Sequence, residues 1–150
     1  MKLAVALSQR ADIQRRLSEL SQRLMNNAKV QEGDAPAEQP EKLLSEMDGL
    51  LSQLEELITR INLTNSQVNA DGTTMTQKLA KRDCLKMRLN IMREFLNSAS
   101  SKVDRYSQKE IAIHSTVDVT ELQKKVDKES QELRILDEKI QELNWTTELL

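Results

Sequence analysis

Apolar residues in this chain recur at steps of three and four along four long segments, and that spacing limits the fold more than any other feature. The first segment, about 2–28, carries Leu3, Leu7, Ile13, Leu17, Leu20 and Leu24 on one line, with Arg10 among them. The second, about 41–65, carries Leu44, Met47, Leu51, Leu54, Ile58 and Ile61. The third, about 74–103, carries Leu85, Leu89, Met92, Leu96, Ala99 and Val103. Cys84, Met87, Ile91 and Phe95 widen that line, which predicts the most buried helix of the four. The fourth, about 119–146, has the most regular line: Val119, Leu122, Val126, Glu129, Leu133, Leu136, Ile140 and Leu143. A 3–4 alternation is the seam of helices that pack along their length.

The punctuation agrees with these boundaries. Helix one should stop near Asn26–Asn27, because the following segment QEGDAPAEQP holds one glycine and both prolines of the chain. Pro40 before Glu41 suits a helix start, as do acids in the first turns facing the positive end of the helix dipole. Asp71–Gly72 marks a tight turn. Thr74 and Gln77 have the spacing of a capping box, and Asp118 or Thr120 can cap the fourth helix.

Between helices three and four the period changes. Ile111, Ile113, Val117 and Val119 share one parity, with polar residues on the other, and this predicts a short extended, β-like segment near 109–119. A lone strand must find a backbone partner in another loop or another subunit. Ile111, Ile113, Val117 and Val119 are therefore the candidate oligomer interface.

Composition sharpens the fold class. The 150 residues are 31% charged and 2% aromatic, with three glycines and two prolines, which argues against sandwiches, barrels and Gly-looped nucleotide folds. The charges alternate by segment. Residues 1–29 carry six basic and two acidic groups, net +4, and residues 30–66 carry two and eight, net −6. Residues 74–105 carry eight and three, net +5, and residues 119–150 carry five and eight, net −3. Sequence neighbours therefore attract when packed side by side, although each rim pair contributes little alone. The expected fold is all-α and a single domain over 1–150. It is an antiparallel up-down-up-down four-helix bundle or a set of paired long helical hairpins with coiled-coil-like seams.

Chemistry-bearing signals are sparse. One histidine and one cysteine leave no metal-ligating set, and no cofactor is expected. His114 follows Glu110 by four residues, which is the wrong spacing for a carboxylate-bridged metal site and falls in a non-helical segment. Cys84 lies among apolar residues and reads as core filler. Nucleotide-loop, nucleophile-elbow and zincin motifs are missing, which points away from an enzyme. Lys78, Lys81, Arg82, Lys86, Arg88 and Arg93 make helix three the best nucleic-acid candidate. With no aromatic interleaved for base stacking, a solvated face is the better reading. The initial run LAVAL is too short for a signal peptide, and no stretch approaches the roughly twenty apolar residues of a spanning helix. A cytoplasmic location follows as an expectation. In the alternating topology Asn62, Asn65, Asn144 and Trp145 gather at one end, forming a candidate recognition patch around the single tryptophan.

Several unusual strings occur in order: NNAKVQEGDAPAEQP, INLTNSQ, DGTTMTQKLAKRD, STVDVTELQKKVD and QELNWTTEL. In these the chain resembles the small bacterial proteins called septicolysin or septicolysin-like, over essentially its whole length. The resemblance implies a pore-forming cytolysin and carries no catalytic residue with it. The residues themselves favour a non-enzymatic, self-associating helical protein that serves as an interaction or scaffold module. Its expected partners are a second copy of the chain and a protein of unknown identity. A membrane-active cytolysin and an RNA- or DNA-binding hairpin are the alternatives.

Overall fold

The chain is all-α in its computed structural model, which describes residues 1–101 and 112–150. Four helices follow in order: α1 (Leu3–Asn26), α2 (Pro40–Ser66), α3 (Met75–Ser100) and α4 (Val119–Thr146). Each boundary falls within a few residues of the expected one, and the end of α1 and the starts of α2, α3 and α4 have a local cause. Asn27 closes α1 and is buried. Its side-chain amide donates to the Arg23 carbonyl, and its Oδ1 accepts from the Glu38 N–H at 2.9 Å. One side chain thus satisfies the helix end and anchors the proline-bearing loop. Gly33 turns that loop at φ +88°, a left-handed conformation that favours glycine. Pro40 occupies the first turn of α2. At α3 the expected capping box forms in both directions, with Gln77 N–H donating to Thr74 Oγ1 and Thr74 N–H donating to Gln77 Oε1. Asp118 Oδ1 accepts from the Glu121 N–H and caps α4.

The helices contribute to two compact units, one of residues 1–68 and 142–150, the other of residues 69–141. In the first unit α1 and α2 run antiparallel, joined across their flanks by Arg16–Glu46, Arg23–Glu46 and Arg23–Glu38. These are the opposite signs that the charge alternation set against each other. The core residues step by seven: Ala6, Ile13 and Leu20 on α1, and Leu43, Leu50 and Leu57 on α2. On α2 this corrects the expected seam, because Leu44 and Leu51 lie on the exposed side. The leucines come as adjacent pairs, 43–44 and 50–51, and both members repeat every seven residues. Periodicity cannot choose between them; the apposition of α1 does.

The same unit is closed by a terminal clasp. Lys2 and Glu148 form an isolated antiparallel bridge, with Leu3 N–H donating to the Thr147 carbonyl at 2.9 Å and Leu149 N–H to the Met1 carbonyl at 2.8 Å. Leu149 is buried. Leu150 N–H donates to Thr64 Oγ1, and Arg60 Nε donates to the Leu150 carbonyl. The Lys2 ammonium and the Met1 amine hold the Glu148 carboxyl below its ordinary value.

In the second unit α3 and the body of α4 pack antiparallel around Leu89, Leu96 and Val126, with Leu85, Met92, Val119, Leu122 and Leu133 against them. Glu129, the polar interruption of the α4 line, accepts from Arg88 Nε at 2.9 Å. Of the expected line of α3, Leu85, Leu89, Met92 and Leu96 are packed, while Val103 lies outside the described residues. The expected widening is not packed: Cys84, Met87, Ile91 and Phe95 are exposed, so Cys84 is not core filler. The expected extended segment also needs correction. Ile111 lies outside the described residues, residues 112–118 form no strand, and Val119 is the first residue of α4. Alternating parity alone supplies no partner for a strand's backbone, whereas the α4 core supplies a place for Val119.

Candidate functional site

The best-formed polar constellation grows from the turn that leads into α3. Gly72 adopts φ +78° and donates its N–H to the Asn69 carbonyl, while Asn69 N–H donates to the Thr73 carbonyl at 2.8 Å. This tight turn swings the Asp71 side chain back over its own backbone, where Oδ1 accepts from both the N–H and the hydroxyl of Thr73. One turn into α3, Lys78 reaches the same group, its Nζ 2.7 Å from Asp71 Oδ2 and also bonded to Thr73 Oγ1. Lys78 is only 7% exposed. A buried ammonium is costly unless paired, and here a carboxylate and a hydroxyl compensate it. Lys78 is the main reason the Asp71 carboxyl is held well below the usual carboxylate range; the Thr73 N–H and hydroxyl add to the effect against a smaller desolvation penalty.

That shift gives a pH dependence with a definite sign. A carboxyl whose folded pKa is depressed stabilises the fold above its unfolded pKa, about 3.9, and loses that contribution as pH falls through the folded value. Asp71→Asn should therefore lower the unfolding midpoint at neutral pH. The gap from the parent should narrow as pH falls below about 4. Urea melts of both proteins from neutral to acidic pH check this; a gap that persists unchanged into acid contradicts the role given to Asp71.

Above Lys78 lies a cleft of about 460 Å³ between the start of α3 and the middle of α4. Lys78, Lys81 and Lys139 line it together with Asp71, Glu132 and the apolar side chains of Leu85, Ile135 and Leu136. Lys78 was legible in the sequence only as one of several cations on helix three. The signal that distinguishes it is its position four residues after a capping threonine and seven after a turn aspartate.

A second feature is the outer face of α3. Met87, Ile91 and Phe95 step by four along it and are 42–65% exposed. The basic residues beside them are largely engaged: Arg82 with Asp83, Arg88 with Glu129, and Arg93 with the Ser130 hydroxyl. On α1, Arg15 pairs with Asp12, Arg16 with Glu46, and Arg23 with Glu38. Cations answered by carboxylates of their own chain offer less to a phosphate backbone.

Among the described residues, no group of three or more His, Cys, Asp or Glu side chains is placed to hold a metal ion. Among the same residues, no helix is long and apolar enough to cross a membrane.

Comparison with known proteins places the chain. Residues 10–149 match a family of unknown function, DUF6847. The chain belongs to this family. A solved structure is 44% identical to it, described as the crystal structure of a functionally unknown conserved protein from Corynebacterium diphtheriae; the match covers 100% of this chain and 99% of that one, with a TM-score of 0.87. No curated protein matches the chain. These findings overturn the resemblance to septicolysin: neither the DUF6847 family nor the solved relative carries that description.

The residues expected to form sites are placed as follows. Of the expected oligomer interface, Ile111 lies outside the described residues and Ile113 is exposed. Val117 is half-buried, and Val119 packs against the Leu89, Leu96 and Val126 cluster. Of the expected recognition patch, Asn62 is exposed on α2 and Asn65 half-buried near its end. Asn144 is half-buried on the last turns of α4, beside Trp145, which is 63% exposed. Leu149 takes a buried place in the same terminal segment.

Proposed function

We propose that the protein is a non-catalytic helical interaction module that self-associates through the outer face of α3. The observation that carries this reading is the line of Met87, Ile91 and Phe95, exposed with Cys84 along about 17 Å of one helix at 1.5 Å per residue. Single exposed apolar residues are normal; a contiguous line of them marks a contact face. A second copy of the chain suits this line because of its rims. Asp83 lies on one edge and Arg88 on the other, five residues apart, the spacing at which flanking charges pair across two parallel helices. Arg88 engages Glu129 through Nε, and a guanidinium has further N–H donors for a second carboxylate. Trp145, 63% exposed, offers the other unit a separate anchor for a protein partner. A single free thiol fits a reducing, cytoplasmic setting.

The test is absolute mass by light scattering after gel filtration, at micromolar to submillimolar protein. The expected result is a discrete multiple of 17.2 kDa for the parent and a monomer for the double variant Ile91→Glu/Phe95→Glu. Both positions are exposed, so the variant's helical signal should match the parent's. A parent that stays monomeric throughout, or a double variant that assembles equally well, rejects the face.

A further inference from the structure

We infer that the open flank of the α1–α2 hairpin docks a cationic amphipathic helix of another protein, on a surface separate from the contact face of α3. The two flanks of this hairpin differ. One is bridged by Arg16–Glu46 and Arg23–Glu46. At about 3.6 residues per turn, Glu46 and Leu44 lie on opposite sides of the buried Leu43, Leu50 and Leu57 line. The bridges therefore close the Glu46 side and leave the Leu44 side open. There Leu44 and Leu51 are each 45% exposed, with Met47, Leu54 and Ile58 half-buried beside them. Leu17 and Leu24 of α1, half-buried, lie on the same flank, across the Ile13 and Leu20 line from Arg16 and Arg23. The strip from Leu44 to Ile58 is about 21 Å long at 1.5 Å per residue, a bed for the apolar face of one further helix.

The border of the strip says what kind of helix. Glu41, Asp48 and Glu55 precede Leu44, Leu51 and Ile58 by three residues each, so these exposed acids run alongside the strip. Among the described residues none of the three carboxylates has an ion-pair partner. Arg15 is engaged by Asp12, Arg16 and Arg23 by Glu46, and Arg60 by Glu56. The acids recur every seven residues, about 10 Å apart, the interval at which a packed helix presents one position of each heptad. A helix with lysine or arginine on that interval meets all three while its apolar face covers Leu44, Leu51 and Ile58. A second copy of this hairpin fits less well. Its α1 brings Arg10 as its one unpaired cation among the described residues, and its α2 brings the same three acids. The acids also oppose an anionic membrane surface. Ile13 and Leu57 line one cleft, which places half-buried Arg10 beyond Glu55. The negative C-terminal end of the docked helix belongs there.

The probe is a synthetic peptide of about 18 residues, with leucine at the two seam positions of each heptad and lysine at the flanking ones. Its binding to the full-length protein is followed by fluorescence anisotropy, and amide chemical shifts locate it. Peptides with glutamate for lysine, and with the same composition in scrambled order, are titrated in parallel. The lysine peptide should bind saturably, with shifts centred on 41–58, and the glutamate peptide about tenfold more weakly. Glu41→Gln/Asp48→Asn/Glu55→Gln should weaken the lysine peptide about tenfold and remove most of its salt dependence, the combined effect of three rim pairs. Leu44→Ala/Leu51→Ala should weaken it to a similar degree. All five side chains are exposed, so the helical signal of both variants should match the parent's. Ile91→Glu/Phe95→Glu should leave peptide binding unchanged, which separates this surface from self-association through α3. Equal binding of the glutamate or scrambled peptide, shifts centred elsewhere, or variants that bind like the parent would each overturn the assignment. So would an Ile91→Glu/Phe95→Glu protein that stays a multiple of 17.2 kDa and becomes a monomer on adding Leu44→Ala/Leu51→Ala, which would give the flank to a second copy.

Discussion

Leu50→Ala should destabilise the first unit by about 3 kcal/mol, while Leu51→Ala, one residue along, should cost less than about 0.5 kcal/mol. Leu50 is 3% exposed and Leu51 is 45% exposed, although they are identical in type and helix propensity and neighbours in sequence. Truncating the buried leucine removes transfer free energy and leaves a cavity that the α1–α2 contact cannot fully close. Truncating the exposed one removes atoms already in water. Urea unfolding followed by circular dichroism gives the comparison. Amide exchange of α1 and α2 should report the loss in the same unit, since a chain with two compact units need not unfold in a single step. Equal costs at the two positions would mean that α2 presents its other leucine line to α1.

Deleting residues 147–150 should lower the stability of the same unit by about 3 to 5 kcal/mol. Burial of Leu149 contributes about 2 kcal/mol, and each backbone hydrogen bond of the clasp about 1 kcal/mol. Those bonds run from Leu3 N–H to the Thr147 carbonyl and from Leu149 N–H to the Met1 carbonyl, with Leu150 N–H to Thr64 Oγ1 beside them. The deletion also leaves the Arg60 guanidinium without the Leu150 carbonyl. Leu150→Ala, an exposed side chain whose backbone bonds survive the change, serves as the control and should be near neutral. Thermal unfolding of the shortened chain is the readout, and a midpoint equal to the parent's would show that the clasp is ornamental to the fold.

Much of this architecture was legible residue by residue. The seven-residue recurrence of Ile13 and Leu20, of Leu89 and Leu96, and of Leu133 and Ile140 predicted helices and their packed lines. Helices declare themselves in local sequence because both their hydrogen bonds and their periodicity are local. The Thr74–Gln77 box, the Asp71–Gly72 turn, Pro40 and Asp118 were readable for the same reason. The opposed charges of α1 and α2 were readable as well, and appear as Arg16–Glu46 and Arg23–Glu38.

The candidate sites were less legible. In the sequence Lys78 differs from Lys81 and Lys86 only in its spacing from Thr74 and Asp71. Only the return of the Asp71 turn over α3 makes it a buried, paired ammonium at the base of a cleft. Met87, Ile91 and Phe95 looked like core because apolar type was the only information available, and α4 covers the adjacent face of α3 instead.

The sequence by itself determined the helices, their caps, and the turn and loop between them, because each depends on residues within a few positions of one another. Tertiary structure alone decided which leucine of each adjacent pair is core, which face of α3 stays in water, and that the chain's two ends meet in a clasp. Those choices depend on contacts between residues tens of positions apart, and no local period records them.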